Sequence, residues 1–216
     1  MPHEDDTELD QRLLHRLVFF TDAVFAIVLT LLVLELRPPE SHGGTGGAEA
    51  FGEMGPHFLA FFMSFALIGI FWAAHLNSTR RLVRFDWPTA LVNLMFLFPI
   101  CLIPFASAWF GQGPGDHFVW SVYCGVLVAC SITNVVLLLT ISRGGGKLLA
   151  GGISGRELAY RLARAASPGL AFGTGLILLA IGQIQLAYFC WVLIPVAFGA
   201  SEIIKPRPAK AAPVAV

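Results

Sequence analysis

Apolar runs of about twenty residues alternate with short polar segments along almost the whole chain. A hydrocarbon core about 30 Å thick takes about 20 apolar residues of helix to cross. Six stretches meet that length, at 17–36, 57–77, 88–110, 117–141, 165–184 and 186–204. The pattern predicts an all-α integral membrane six-helix bundle. The first stretch does not read as a signal peptide: the acidic MPHEDDTELD precedes it, no small-residue cleavage site follows, and it exceeds an h-region in length. The fifth helix is expected to start earlier, through the helix-favouring RELAYRLARAA, with a kink at Pro168. The domain boundaries that follow are a cytoplasmic tail over 1–11, a six-helix domain over 12–205, and a disordered Pro/Ala-rich tail over 206–216.

The connections sharpen this picture. RPPESHGGTGGAEAFGEMGP is Gly-rich and reads as mobile. GQGPGD reads as a tight turn that makes a hairpin of helices 3 and 4, and helices 5 and 6 are separated only by Gly182–Gln185. Thirteen of the fourteen Lys and Arg lie before helix 1, between 2 and 3, between 4 and 5, or after helix 6, and only Arg37 breaks the pattern. The positive-inside rule then places both termini in the cytoplasm of a multi-pass cell-membrane protein. Trp87, Trp109 and Trp120 fall at helix ends and read as an aromatic belt.

Composition agrees. Hydrophobic residues make up 56% of the chain and charged residues 13%, with a mean hydropathy of +0.72, about half the charge of a soluble domain. Fourteen basic residues balance fourteen acidic ones, so no net field attracts nucleic acid. Cys101, Cys124, Cys130 and Cys190 sit in apolar runs with no metal-type spacing and read as small core hydrophobes. Without HExxH, GxSxG or paired acids in one span, the chain does not read as an enzyme, and no cofactor or resident metal is expected.

Charged and polar residues inside spans are costly, and they mark function. Helix 1 holds Arg16, Thr21, Asp22, Thr30 and Glu35; helix 2 holds Trp72, His75 and Asn77; helices 3 and 4 hold Asn93, Asn134 and hydroxyls. At about 100° per residue, Arg16, Phe20, Ala23, Ile27, Thr30 and Leu34 form one stripe about 80° wide. Asp22 points roughly opposite, toward its own protomer, where His75 or Trp72 of helix 2 lies at matching depth. The stripe reads either as pore lining or as packing, because helix 1 is apolar nearly all round. Gly169 and Gly173 form a GxxxG pattern that reads as a close helix approach. The prolines at 99, 104 and 195 form no inverted pair of broken helices of the transporter kind.

The segment from Arg16 through Phe20, Thr21 and Asp22 to Ile27 resembles the R-x-x-x-F-S-D signature of the transmembrane-protein-175 family, with Thr21 in place of Ser. Thr30 and Leu34 in helix 1, and Trp72 and His75 in helix 2, extend the resemblance. It implies a homotetramer in a lipid bilayer, with helix 1 of each subunit lining a central pore. It further implies a passive cation channel that favours potassium over sodium without a TVGYG filter, a motif the sequence lacks. By position, Ile27 is expected to be the hydrophobic gate, Thr30 a hydroxyl ring beside which K+ passes transiently, and Leu34 a second apolar ring. Arg16, Asp22 and His75, with Trp72 nearby, are expected to form the network that holds helix 1 in place.

Other readings stand beside these. Apolar rings gate by dewetting, yet Ile27 also suits lipid or helix packing. Thr30 either faces the pore or bonds the carbonyl four residues back. Arg16 either projects at the cytoplasmic mouth or bends toward Asp22. Glu35 either draws cations to the outer mouth or ends the helix in solvent. The functional alternative is a proton-coupled secondary transporter or a proton-conducting channel in which Asp22 and His75 titrate.

Overall fold

The structure, a computed structural model, describes residues 4–36 and 51–206. Among the described residues five helices are long and apolar enough to cross a membrane: α1 (Glu4–Leu34), α2 (Gly55–Thr79), α3 (Trp87–Gln112), α4 (His117–Ile141) and α5 (Gly155–Ala180). The sixth expected span is interrupted. It runs as a single turn at Ile184–Ala187, a 3-10 turn at Cys190–Val192, α6 (Leu193–Ser201) and a 3-10 turn at Glu202–Ile204. Pro195 lies in the first turn of α6, where its missing N–H leaves nothing unpaired. Helix α1 begins at Glu4, within the expected tail, while the Gly-rich loop (37–50) and the C-terminal tail (207–216) lie outside the described residues.

Local chemistry sets the helix starts. Asp86 accepts from the Thr89 N–H, Asp116 from those of Phe118 and Val119, and Ser154 from that of Glu157. Each satisfies a donor that has no partner inside the helix. Pro168 sits buried within α5, which continues through it as one helix. The Arg164 carbonyl that Pro168 cannot serve accepts the Ser167 hydroxyl at 2.9 Å.

Packing follows chain order: α3 and α4 form the expected hairpin, α5 packs on α4, α2 on α3, and α6 on α5. Helix α1 leans on α2 and α3. Phe110, Trp120, Tyr123 and Phe172 fill the centre of the bundle, joined by Tyr188 on Trp120. Trp120, at 1% exposure, is therefore core and not belt, whereas Trp87 at 70% remains on the surface. Cys124, Cys130 and Cys190 are core as expected, but Cys101 is exposed.

The glycine pattern of α5 is shifted. A Cβ on Gly169 would stand 2.6 Å from the Ser131 Cβ, so the α4–α5 approach depends on that glycine. Gly173 faces open space, and the second close approach is at Gly175, beside Cys190. Gly175 lies about 120° round the helix from Gly169, so the two close approaches are on different sides of α5, one toward Ser131 of α4 and the other toward Cys190.

Candidate functional site

Helix α1 has two chemically distinct faces. Thr21, Phe25, Val28 and Leu32, spaced four, three and four apart, are buried against α2 and α3. The other face carries Phe20, Ile27 at 58% exposure, Thr30, and Leu34 at 67%. Arg16 is exposed as well, and Ala23 is half-buried. The stripe expected to line a pore thus points away from its own protomer. The Thr30 hydroxyl donates to the Ile27 carbonyl, three residues back, at 2.8 Å. With its proton committed to the backbone, the oxygen presents lone pairs only. Glu35 is half-buried in the turn after α1.

Asp22 lies about 100° round the helix from Thr21, at the edge of the buried stripe, and is half-buried. Its carboxylate accepts from Trp72 Nε1 at 3.0 Å. His75 takes no part in that bond. Its Nε2 lies 2.9 Å from Asn93 Oδ1, and Asn93 Nδ2 donates to the Thr21 hydroxyl at 2.8 Å. Thr21 in turn donates to the Leu17 carbonyl at 2.9 Å. The directions follow by elimination. Thr21 spends its only proton on Leu17, so it must accept from the amide nitrogen of Asn93; Oδ1 then faces His75, and His75 Nε2 carries the proton. Two separate ties hold α1: Asp22 to α2, and Thr21 through Asn93 of α3 to His75 of α2.

This corrects the single network expected of Arg16, Asp22 and His75. Among the described residues nothing bonds Arg16 to either partner; it stays on the exposed side with Phe20. The missed residue is Asn93, the hub of the second tie. Its signal was that it is one of the few amides inside an apolar span, but nothing in its spacing says that it reaches both neighbours at once.

At the end of the bundle where the basic residues gather, Glu157 accepts from Arg81 Nη1 and Arg161 Nη2, each at 2.7 Å. Arg81 also donates to the carbonyls of Ala150 and Gly152, and Arg161 to that of Asn77. Asp86 pairs with Arg143. An isolated bridge between Leu82 and Leu149 joins the α2–α3 and α4–α5 connections. Gly146, at φ +80°, makes the turn that permits it: a Cβ there would lie 2.9 Å from the Ile153 nitrogen. Glu202 accepts from Lys205 Nζ at 2.7 Å and holds that ammonium above its ordinary pKa.

A family model described as endosomal/lysosomal potassium channel TMEM175 matches residues 16–104, which hold all of α1 to α3 that carries this geometry. A potassium channel of Chryseobacterium sp. (strain P1-3) is 32% identical over 132 residues, covering 61% of this chain and 67% of that one. The chain belongs to the TMEM175 family. A potassium channel of Streptomyces collinus is 31% identical over 134 residues, 60% of this chain and 65% of the relative. The bovine endosomal/lysosomal proton channel TMEM175 is 31% identical over 165 residues, 70% of this chain. The chain spans just under two thirds of the Streptomyces relative and 34% of the bovine one. The crystal structure of a lysosomal potassium-selective channel TMEM175 homolog from Chamaesiphon minutus shares the fold, with a TM-score of 0.67 over 88% of this chain and 95% of that one, at 23% identity. TMEM175 proteins are ion channels and not enzymes.

Proposed function

We propose that this chain forms a passive cation channel that conducts potassium in preference to sodium, as a homotetramer in the cell membrane with α1 of each copy around a shared axis. The observation that carries the reading is the exposure of Ile27, Thr30 and Leu34 on α1 while Thr21, Phe25, Val28 and Leu32 are buried. One α1 cannot enclose a pore, so conduction requires several copies. In this arrangement Ile27 forms an apolar ring that empties of water when narrow. Thr30, whose hydroxyl donates to its own backbone, turns oxygen lone pairs toward a passing K+, and Leu34 makes a second apolar ring. The basic end faces the cytoplasm, so both termini lie there. Potassium is the permeant ion, with no resident metal or cofactor.

A proton-conducting reading has one support of its own: the bovine relative is named a proton channel. In this chain Asp22 and His75 belong to separate ties, and a continuous proton path between them would need a further group.

The deciding experiment is bi-ionic recording from purified, reconstituted protein, with the mass of the assembly measured alongside. A reversal potential set by potassium and a mass of four chains are expected. A reversal potential that follows the proton gradient alone would favour the second reading, and a monomeric mass would end the first.

A further inference from the structure

A groove of about 630 Å³ runs between α2, α5 and α6 and opens on the outside of the bundle. Its α2 wall is Ala66, Gly69, Ile70, Ala73 and Asn77, ending at Arg80. These positions recur at three and four residues, so they lie on one face and extend about 20 Å along the helix. The apolar end is lined by Ala66, Gly69 and Ala73 and is open: a Cβ on Gly69 would meet nothing within 4 Å. The opposite end is cationic. Arg80, Arg161, Arg164 and Lys205 line it, against the single carboxylate Glu157. Glu157 is already shared by Arg81 and Arg161, and Glu202 by Arg164, Lys205 and the Tyr160 hydroxyl. Four cations thus divide two carboxylates, and Arg80 adds a fifth positive charge at the rim. Arg164 is packed over the Phe198 ring at 4.3 Å, which keeps its guanidinium at the groove.

A cationic rim continuous with a small-residue slot has the shape of an amphiphile, head at Arg80 and chain along Ala66. We infer that this groove binds a phospholipid with an anionic headgroup, its phosphate at Arg80, Arg164 and Lys205 and one acyl chain against the Gly69–Ala73 wall. Anionic lipids are recognised by basic pockets between membrane helices at the cytoplasmic side. A soluble anion would use the rim and leave the slot empty, so the slot favours the lipid.

The test is native mass spectrometry of the full chain purified in detergent and titrated with phosphatidylglycerol or phosphatidylcholine. Phosphatidylglycerol should be retained several-fold more than phosphatidylcholine. Arg80→Gln and Arg164→Gln should each reduce that retention severalfold. Arg84→Gln, a charge on the same α2–α3 connection but outside the groove, should not. Gly69→Leu, which fills the slot and leaves every charge in place, should abolish the preference, and excess glycerol phosphate should fail to displace the lipid. Arg80 is exposed, so its variant keeps the test valid should Arg164→Gln fold poorly. Equal retention of the two lipids, an equal loss in Arg84→Gln, or displacement by glycerol phosphate would overturn the assignment. Efficient cross-linking between copies through Ala73→Cys would do the same, since a second chain would then fill the groove.

Discussion

Trp72 on α2 donates its indole N–H to the carboxylate of Asp22 on α1, fifty residues earlier, across 3.0 Å. Among the described residues helix α1 packs mainly on α2 and α3, so two neighbours fix its rotation. Rotation matters because it decides which side chains face outward. A turn of about 100° would bring Asp22 where Ile27 or Thr30 now points. The bond therefore orients the outward stripe as well as pairing a membrane carboxylate.

Trp72→Phe keeps the ring packing and removes the donor. A hydrogen bond to a charged group contributes about 1.5–3 kcal/mol, less where the pair is part-exposed as here. The variant should lose about 1–2 kcal/mol, read as a melting temperature several degrees lower in detergent. An unchanged melting curve would mean that Asp22 finds water or another donor at no cost.

The second tie makes a sharper comparison. Thr21→Val preserves shape but leaves the Asn93 amide without its acceptor, at a cost of about 1–2 kcal/mol. Thr21→Ser retains the hydroxyl and should cost under about 1 kcal/mol. Thermal unfolding of both proteins separates hydroxyl from methyl, and equal losses would assign Thr21 a packing role.

Gly169 and Gly173 should behave differently despite their shared motif. Gly169→Leu forces a branched side chain into the space that Ser131 occupies and should destabilise by about 1–3 kcal/mol or more. Gly173→Leu meets open space and should leave stability within about 0.5 kcal/mol. Chemical or thermal denaturation in micelles distinguishes them, and equal effects would contradict the α4–α5 approach.

Ile27→Asn changes conduction and not folding under the proposed arrangement, because the side chain is outside the protomer core. A polar ring holds water where isoleucine excludes it. Potassium efflux from liposomes should rise severalfold with little shift in melting temperature. Thr30→Ala in the same assay should move the potassium-to-sodium reversal potential. Flux unchanged in the first variant would remove Ile27 from the gate.

Much of this was legible along the chain. Membrane crossing follows from run length and hydropathy, which need no knowledge of neighbours, and the five long helices lie where apolar runs of that length lie. The R-x-x-x-F-T-D segment likewise carried the family assignment. The faces of α1 were half legible: periodicity grouped Ile27, Thr30 and Leu34, but an all-round apolar helix offers many such stripes. Burial of Thr21, Phe25, Val28 and Leu32 selected one.

What tertiary structure alone decided were the pairings. Trp72 and His75 are three residues apart on one helix, each chemically able to serve Asp22. Only the packing of α3 against both gave His75 to Asn93 and left Trp72 for the carboxylate. The same holds for Trp120, which a helix-end position would put at the membrane interface and which the contacts of α4 with α3 and α5 bury. Hydropathy is a property of one segment and its solvent, so sequence determines it. A hydrogen-bond partner is a property of two segments at one distance, and only the fold sets distance.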